Sequence, residues 1–451
     1  MTSIVVGGGI SGLTTALALA EGGLDVELRE ASPRLGGALL TSPFAGRPAV
    51  DEGADAFLVR VPHAVELARR VGLGEDLTSP AAASAAVWWD RLHDLPAGLA
   101  LGVPTEAAKL ATSRLLSVRG RARAALEPLL PRRGNPGDSI GALVRARFGH
   151  EVHERLVDAL VGSIYGADTD RFSLAMVPQL AALAEGGRSL MLSGRALRAT
   201  APTTTGPIFA APIAGMGALA AATADAARAA GVTIRMSTGV AAVEPDGPRW
   251  RVDGDVADVV VLATPARTTA PLVAAAPEAS RLLGAMEHSS VVIVTIAVDG
   301  WPARLRGRSG YLVPKPVQRT VTAASFGSQK WAHWADGGRD DEVLRISLGR
   351  DGLPVDHLDD DTLVDRAVTE VGRHLSFDFQ PTAVRVSRWP AAFPQYRPGH
   401  RAWLAAIDAA LPTGLFVTGA SYDGIGVPAC VAQATATAAR IQRREPGRLV
   451  P

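Results

Sequence analysis

The sequence predicts an α/β protein organised on a Rossmann-like parallel sheet, and three observations carry that prediction. An apolar strand over residues 3–6 runs into the glycine turn Gly7-Gly8-Gly9-Ile10-Ser11-Gly12, and an Ala- and Leu-rich helix follows to residue 21. After the Gly22-Gly23 break a second strand, 26–30, ends on an acid, Glu30. The same alternation returns at 207–265 and at 415–443, separated by inserted sequence. Strands that alternate with helices through tight glycine turns build parallel sheets.

The remaining elements follow in order. A helix at 63–71 opens a largely helical stretch that continues to 194. It includes helices at 105–130, 140–148 and 150–161, punctuated by Pro96, Pro104, Pro131 and Pro136. From 207 the pattern reads as a strand at 208–210 and a helix from Ala218. Strands follow at 232–235, 250–252 and 259–262. Strand-rich sequence comes next, with strands at 289–298 and 343–348. A last strand, 415–418, leads through a glycine-rich turn into a helix over 429–443. Both ends and the middle of the chain thus share one dinucleotide fold, interrupted twice.

Bulk composition narrows the function classes. A chain of 451 residues exceeds what one hydrophobic core organises, so two or three domains are expected. A net charge of +1 without blocks of like charge argues against a nucleic-acid partner, which needs a concentrated basic face. Only Lys109, Lys315 and Lys330 are lysines, so 43 of the 46 basic residues are arginines (46 − 3). A GC-rich genome explains that bias better than anion sites do. Cys430 is the only cysteine, which excludes an internal disulfide and a Cys-based metal site and fits a reducing, cytosolic compartment. The first apolar run passes straight into a glycine turn, so it reads as a strand and not a signal peptide. The uncharged stretch 199–224 is long enough to span a bilayer. Pro202, Pro207, Pro212, Gly206, Gly215 and Gly217 would leave too much of its backbone unpaired in lipid, so no transmembrane helix is expected there.

The glycine turn carries the chemistry. Gly7 permits the tight turn, Gly9 lets a pyrophosphate approach the backbone, and Gly12 lets helix and strand pack closely. Gly8, Ile10 and Ser11 complete the loop, and the helix N-terminus supplies unpaired N–H groups and positive potential. Glu30 lies 18 residues beyond Gly12 (30 − 12), where a carboxylate accepts bonds from ribose hydroxyls. Two other stretches imitate the pattern, Gly215-x-Gly217-x-x-Ala220 and Gly424-x-Gly426-x-x-Ala429. The strand after the first ends in Met236 with no acid in place, and the second carries Pro428. Neither reads as a second nucleotide site, and close helix packing explains both. A single dinucleotide site points to dioxygen as the electron acceptor. The second glycine turn has a further reading, in which its backbone approaches a flavin ring.

Glu30-Ala31-Ser32-Pro33-Arg34-Leu35-Gly36-Gly37 extends the fingerprint, because a glycine pair after the acidic strand end lets the chain run along an extended cofactor. This pattern is characteristic of flavoproteins related to glutathione reductase and the amine oxidases, and it predicts FAD. The block 51–57 (DEGADAF) would approach the flavin from the other side, and 259–266 (VVVLATPA), a buried strand ending in a small-residue turn, is another stretch such proteins share.

Further blocks, in order over nearly the whole chain, resemble the protoporphyrinogen and coproporphyrinogen oxidase family. They are 102–130 (GVPTEAAKLATSRLLSVRGRARAALEPLL), 160–174 (LVGSIYGADTDRFSL), 387–400 (SRWPAAFPQYRPGH) and 416–433 (FVTGASYDGIGVPACVAQ). The resemblance implies an FAD/NAD(P)-binding Rossmann-like domain of glutathione-reductase/amine-oxidase type in segments 1–61, 209–283 and 410–451. A mixed-sheet substrate domain would take 62–97, 195–208 and 284–409, with a helical, membrane-facing domain at 98–194.

The resemblance also implies a reaction, loss of six electrons and six protons from a porphyrinogen in three flavin cycles, each reducing O₂ to H₂O₂. The targeting-free, Arg-rich chain resembles the bacterial soluble branch, which favours coproporphyrinogen III over protoporphyrinogen IX. A flat macrocycle calls for an apolar pocket with a few cations for its propionates. No acid–base catalyst is required, and no metal site is expected.

By position, the family's FAD contacts fall on Gly7–Gly12, Glu30, Ala31, Ala38, Gly53, Ala54, Asp55, Ala56, Val240, Trp389, Ile425, Gly426 and Val427. Trp389 as a core aromatic is the competing reading. Tyr165 matches a residue lining the substrate cavity, with a core tyrosine as its alternative. Arg60 can pair with a propionate, though a solvent-facing arginine is the simpler reading. Two departures matter. The family's usual Gly-Pro-Asp-Ser reads Gly53-Ala54-Asp55-Ala56, and its Pro-Asp-Cys reads Pro428-Ala429-Cys430, so roles of the lost side chains do not transfer. Peripheral membrane contact and docking of a ferrochelatase stay open. A flavin amine oxidase and a non-catalytic porphyrin carrier are the rival functions.

Overall fold

A computed structural model of the chain describes residues 1–81, 83–131, 137–200, 206–335 and 341–443. Pro136, Pro202 and residues 201–205 of the uncharged stretch lie outside them. The chain forms two compact units, each assembled from separated segments. The first comprises Met1–Ser79, Pro207–Met286 and Ala402–Pro451, and the second Pro80–Gly206 and Glu287–Arg401.

The first unit is built on a five-stranded parallel sheet. Its order is Thr233–Arg235, Asp25–Arg29, Thr2–Val6, Val259–Leu262, Leu415–Val417. The central strands are continuous apolar runs with Ile4–Val6 and all of Val259–Leu262 buried, as expected where both faces are covered. Helix Ile10–Glu21 packs between Val427–Arg443 and Met216–Ala229. A second apolar cluster joins Ile4, Val260 and Leu262 to Trp250, Ala270, Leu283 and Tyr422.

The middle segment departs from the expected βαβ pattern. Strand Phe209–Pro212 pairs antiparallel with Phe57–Leu58 and Leu77–Thr78 and stays out of the parallel sheet. Arg249–Val252 belongs to an antiparallel meander with Val243–Asp246 and Asp255–Ala257. Its alternation of exposed Arg249 and Arg251 with buried Trp250 and Val252 is that of a sheet with one wet face.

The second unit carries a seven-stranded mixed sheet. The order is Ala383–Pro394, His288–Asp299, Asp341–Leu348, Val321–Phe326, Arg308–Leu312, Ser84–Trp88, Leu92–Asp94. Only the pairing of Arg308–Leu312 with Ser84–Trp88 is parallel. Helix Asp360–Leu375 covers one face with Leu363, Ala367, Val371 and Leu375. Its N-cap Asp359 accepts from Thr362 N at 2.8 Å. Strand Ala383–Pro394 escaped the sequence reading because Pro390 interrupts it. It lies at the sheet edge, where a missing N–H is tolerated.

Three helical expectations are corrected. The stretch before Gly102, read as largely helical, instead holds strands such as Ser84–Trp88 and Leu92–Asp94. Residues 105–130 form two short helices, Ala107–Ala111 and Val118–Ala125, and a 3₁₀ turn, Glu127–Leu129. Ser117 restarts the helix by accepting from Gly120 N at 3.0 Å, and Pro128 cannot continue it. After His150–Val152, residues His153–Gly162 adopt a π-helix rather than an α-helix. No helix among the described residues is long and apolar enough to cross a membrane. The described part of the uncharged stretch instead holds strand Phe209–Pro212 and the start of helix Met216–Ala229.

Candidate functional site

The candidate site lies at the carboxyl ends of the parallel strands, where open α/β sheets place their ligands. Gly7 leaves strand Thr2–Val6 with φ +107°, a left-handed conformation that side chains resist, and its N–H donates to Arg29 O at 2.8 Å. Gly12 packs so tightly that a Cβ there would stand 1.9 Å from Gly7 O. Gly9 is the opposite case. It caps helix Ile10–Glu21 with ordinary φ −72°, and a Cβ there would meet no atom within 4 Å. No side chain caps this helix and its first turn holds no acid. Its first amide donors and their positive potential therefore remain available to an anion laid over Gly9.

Glu30 follows the neighbouring strand and is half-buried. Its carboxylate accepts from Gly8 N at 2.6 Å and from Ser32 N at 2.8 Å, which ties the acid to the glycine turn. The second glycine pair closes on the first. Gly36 N donates to Gly8 O at 2.8 Å, and a Cβ on Gly37 would lie 3.3 Å from Gly9 Cα. Arg34 Nη2 donates to Gly37 O at 2.7 Å and braces this loop, beyond which Ala38 is exposed. Thr238 N donates to Glu30 O at 2.8 Å, and a Cβ on Gly239 would stand 3.6 Å from Ala31 Cβ, so the loop carrying Val240 runs beside Glu30 and Ala31.

Two further segments end here. Glu52 N donates to Leu40 O at 2.8 Å, which starts Gly53, Ala54, Asp55 and Ala56 beside the loop that carries Ala38. The C-terminal turn is held by Ala266 N donating to Ser421 Oγ at 2.9 Å. A Cβ on Gly419 would lie 3.9 Å from Ser11 Oγ. Ile425 and Gly426 remain accessible and Val427 begins the buried helix. Burial pushes the Cys430 thiol up to about 11, partly countered by its hydrogen bond with Ser11, so it stays protonated at neutral pH. The structure thus gathers the glycine turn, Glu30, Ala31, Ala38 and Val240, and the C-terminal turn that leads to Ile425–Val427 approaches Ser11 at Gly419. An extended dinucleotide fits the uncapped helix, the space over Gly9 and the acceptor at Glu30.

The imitation motif at Gly215 is closed by the protein itself. Buried Asp51 accepts from Met216 N at 2.8 Å and from Thr41 Oγ1 at 2.5 Å, and Thr41 Oγ1 accepts from Gly217 N at 2.8 Å. A carboxylate already fills the position an incoming phosphate would take. Nothing in the sequence around Asp51 signals this, because the capped helix begins 165 residues later.

Arg60 is exposed in the turn after strand Phe57–Leu58. Tyr165 and Trp389 belong to the second unit. Tyr165 is half-buried at the end of the π-helical segment, with its ring 4.9 Å from that of Phe172, and burial raises its phenol pKa. The following Gly166 carbonyl accepts from Ser289 Oγ at 2.8 Å, Asp351 N at 2.8 Å and Gln395 Nε2 at 3.3 Å. Beneath this loop the Arg350 guanidinium grips Asp158 through two bonds of 2.8 and 2.9 Å, both side chains being buried. Thr169 Oγ1 donates to the same carboxylate at 2.6 Å. Desolvation alone would raise the Asp158 carboxyl; Arg350 and Thr169 outweigh it and hold the pKa below its ordinary value. Trp389 pairs with Val291 beside a β-bulge, two residues before Ala391, whose φ of +44° is unusual for a residue with a side chain.

The flavin containing amine oxidoreductase model matches residues 10–442. The coproporphyrinogen III oxidase of Mycobacterium leprae is 34% identical over 95% of this chain and 96% of its own. That of Bacillus subtilis is 29% identical over 96% of each. A solved structure from Exiguobacterium sp. 255-15, given the provisional name protoporphyrinogen oxidase, superposes with a TM-score of 0.86 at 27% identity. It covers 98% of this chain and 99% of that one. The chain is an FAD-dependent oxidoreductase of the flavin containing amine oxidoreductase family, in the group that its coproporphyrinogen III oxidase relatives form.

Proposed function

We propose that the chain oxidises coproporphyrinogen III to coproporphyrin III in haem biosynthesis, with dioxygen as acceptor and three H₂O₂ released per porphyrin. The observation that carries this reading is the near end-to-end match to the Mycobacterium leprae coproporphyrinogen III oxidase. Protoporphyrinogen IX is the second reading, favoured only by the provisional name of the Exiguobacterium structure at lower identity. FAD supplies the two-electron redox chemistry when bound. The chain's residues bind and orient it: the amides of Gly7–Gly12 toward the pyrophosphate, Glu30 toward the ribose, and Ala31 and Val240 toward the adenine end. Ala38, the backbone of Gly53–Ala56 and Ile425–Val427 take the remainder of the cofactor.

Trp389 as an FAD contact, Tyr165 against the substrate and Arg60 on a propionate enter on the resemblance, as does the division into three domains. Cytoplasmic location belongs to the same reading. Peripheral membrane contact has one support, the exposed Val118, Leu126 and Leu129 beside arginines of the segment 118–129. Docking of a ferrochelatase rests on the proposed product alone. The test is to mix FAD-loaded protein in air with coproporphyrinogen III or protoporphyrinogen IX and follow porphyrin fluorescence with peroxide. Faster turnover of the tetracarboxylate is expected; porphyrin from neither substrate overturns the proposal.

A further inference from the structure

A groove in the second unit, lined by none of the residues assigned to cofactor or substrate above, has the chemistry of a receptor. It lies between the loop 91–97 and the segment 108–114 and has a cavity volume of about 630 Å³, within the size range of small-molecule sites. Arg91, Lys109 and Arg114 line it, together with the hydroxyl-bearing Thr112 and Ser113. The only lining carboxylate is Asp94, which is neutralised by Arg308 at 2.5 Å. Asp90, next to Arg91, is hydrogen-bonded to His93 at 2.5 Å. Among the described residues no carboxylate lies within ion-pair distance of Arg91, Lys109 or Arg114. Three cations without an ion-pair partner, with Asp94 taken up by Arg308 and Asp90 by His93, leave a surplus of positive charge around the concavity.

The lining also says what does not bind. It includes no phenylalanine, tyrosine or tryptophan, and its larger apolar residues are Leu92 and Leu95. A flat macrocycle that gains its affinity by stacking and apolar burial has little to hold there. Multiple anionic groups on a compact, polar body match the cations and hydroxyls.

We propose that the groove formed by Arg91, Lys109 and Arg114 is a binding site for a small polyanion bearing at least two carboxylate or phosphate groups. The site shares no lining residue with the positions assigned to FAD. The test is calorimetric titration of the FAD-loaded protein, whose own pyrophosphate occupies the glycine turn, with inorganic pyrophosphate and with tricarballylate at low salt. One equivalent should bind, with affinity falling as salt rises. Arg91→Ala, Lys109→Ala and Arg114→Ala should each weaken it about tenfold. The triple variant should bind none while keeping its FAD content and unfolding temperature. Preference between the two probes assigns phosphate or carboxylate chemistry. Absence of binding by both probes, or undiminished binding by the triple variant, overturns the proposal.

Discussion

Two glycines of one motif are there for different physical reasons, and the difference is measurable. At Gly12 an added methyl group would collide with Gly7 O at 1.9 Å, a backbone atom that cannot swing aside. At Gly9 the backbone is ordinary and the space beside it holds no protein atom. Gly12→Ala should therefore destabilise the apoprotein by about 2 kcal/mol or more, read by denaturant unfolding. Gly9→Ala should leave apoprotein stability within about 0.5 kcal/mol and cost at least about tenfold in FAD affinity, read by flavin fluorescence titration. Equal losses of stability would show that Gly9 serves packing as Gly12 does. The motif was legible in the sequence because its function is local: strand, turn, helix and acid fall within 30 residues. Which glycine packs and which leaves room was a matter of backbone approach, and the structure resolves it.

Elements whose partners are near in sequence, or whose apolar pattern is strong, were read correctly. Helix Ile140–Phe148 and strand Val259–Leu262 match to the residue. Elements fixed by distant chemistry were not. The π-helix His153–Gly162 has an ordinary amphipathic sequence; Asp158 in its middle is held by Arg350, 192 positions away. Removing one member of a buried pair leaves a charge stranded in a poor solvent. Arg350→Met should cost about 3–5 kcal/mol, and adding Asp158→Leu should recover much of it. If the double variant is no more stable than the single, the pair is not what couples these segments. The same pair predicts an acid limit. The Asp158 pKa is lower folded than unfolded, so its contribution is full above the unfolded value near 3.8. It is lost as pH falls through the folded value, because the unfolded chain then no longer holds the extra proton alone. Stability of the wild type should fall more steeply than that of the double variant below about pH 4, as followed by urea midpoints.

At the scale of the whole molecule, the first unit draws one sheet from three separated stretches of chain, and the glycine turns announced all three. The sequence could not show that the strand at 209–212 leaves this sheet, because a four-residue apolar run carries no information about its partner. This matters for where electrons go. A second nucleotide site would need a free helix N-terminus after a strand, and helix Met216–Ala229 is the evident candidate in the first unit. Its first amides are already bonded to Asp51 and Thr41, and the strand it feeds, Thr233–Arg235, is followed by Met236 where ribose would require an acid. Opening that site would mean expelling a buried carboxylate, so a nicotinamide cofactor has no ready seat there. Under the proposed reaction the enzyme should form porphyrin and peroxide in a ratio of one to three in air. Adding NAD⁺ or NADP⁺ without oxygen should not reoxidise the reduced enzyme, as followed at the flavin absorbance. Reoxidation by either nicotinamide would place a second dinucleotide site elsewhere on the chain and remove the argument for dioxygen as the acceptor.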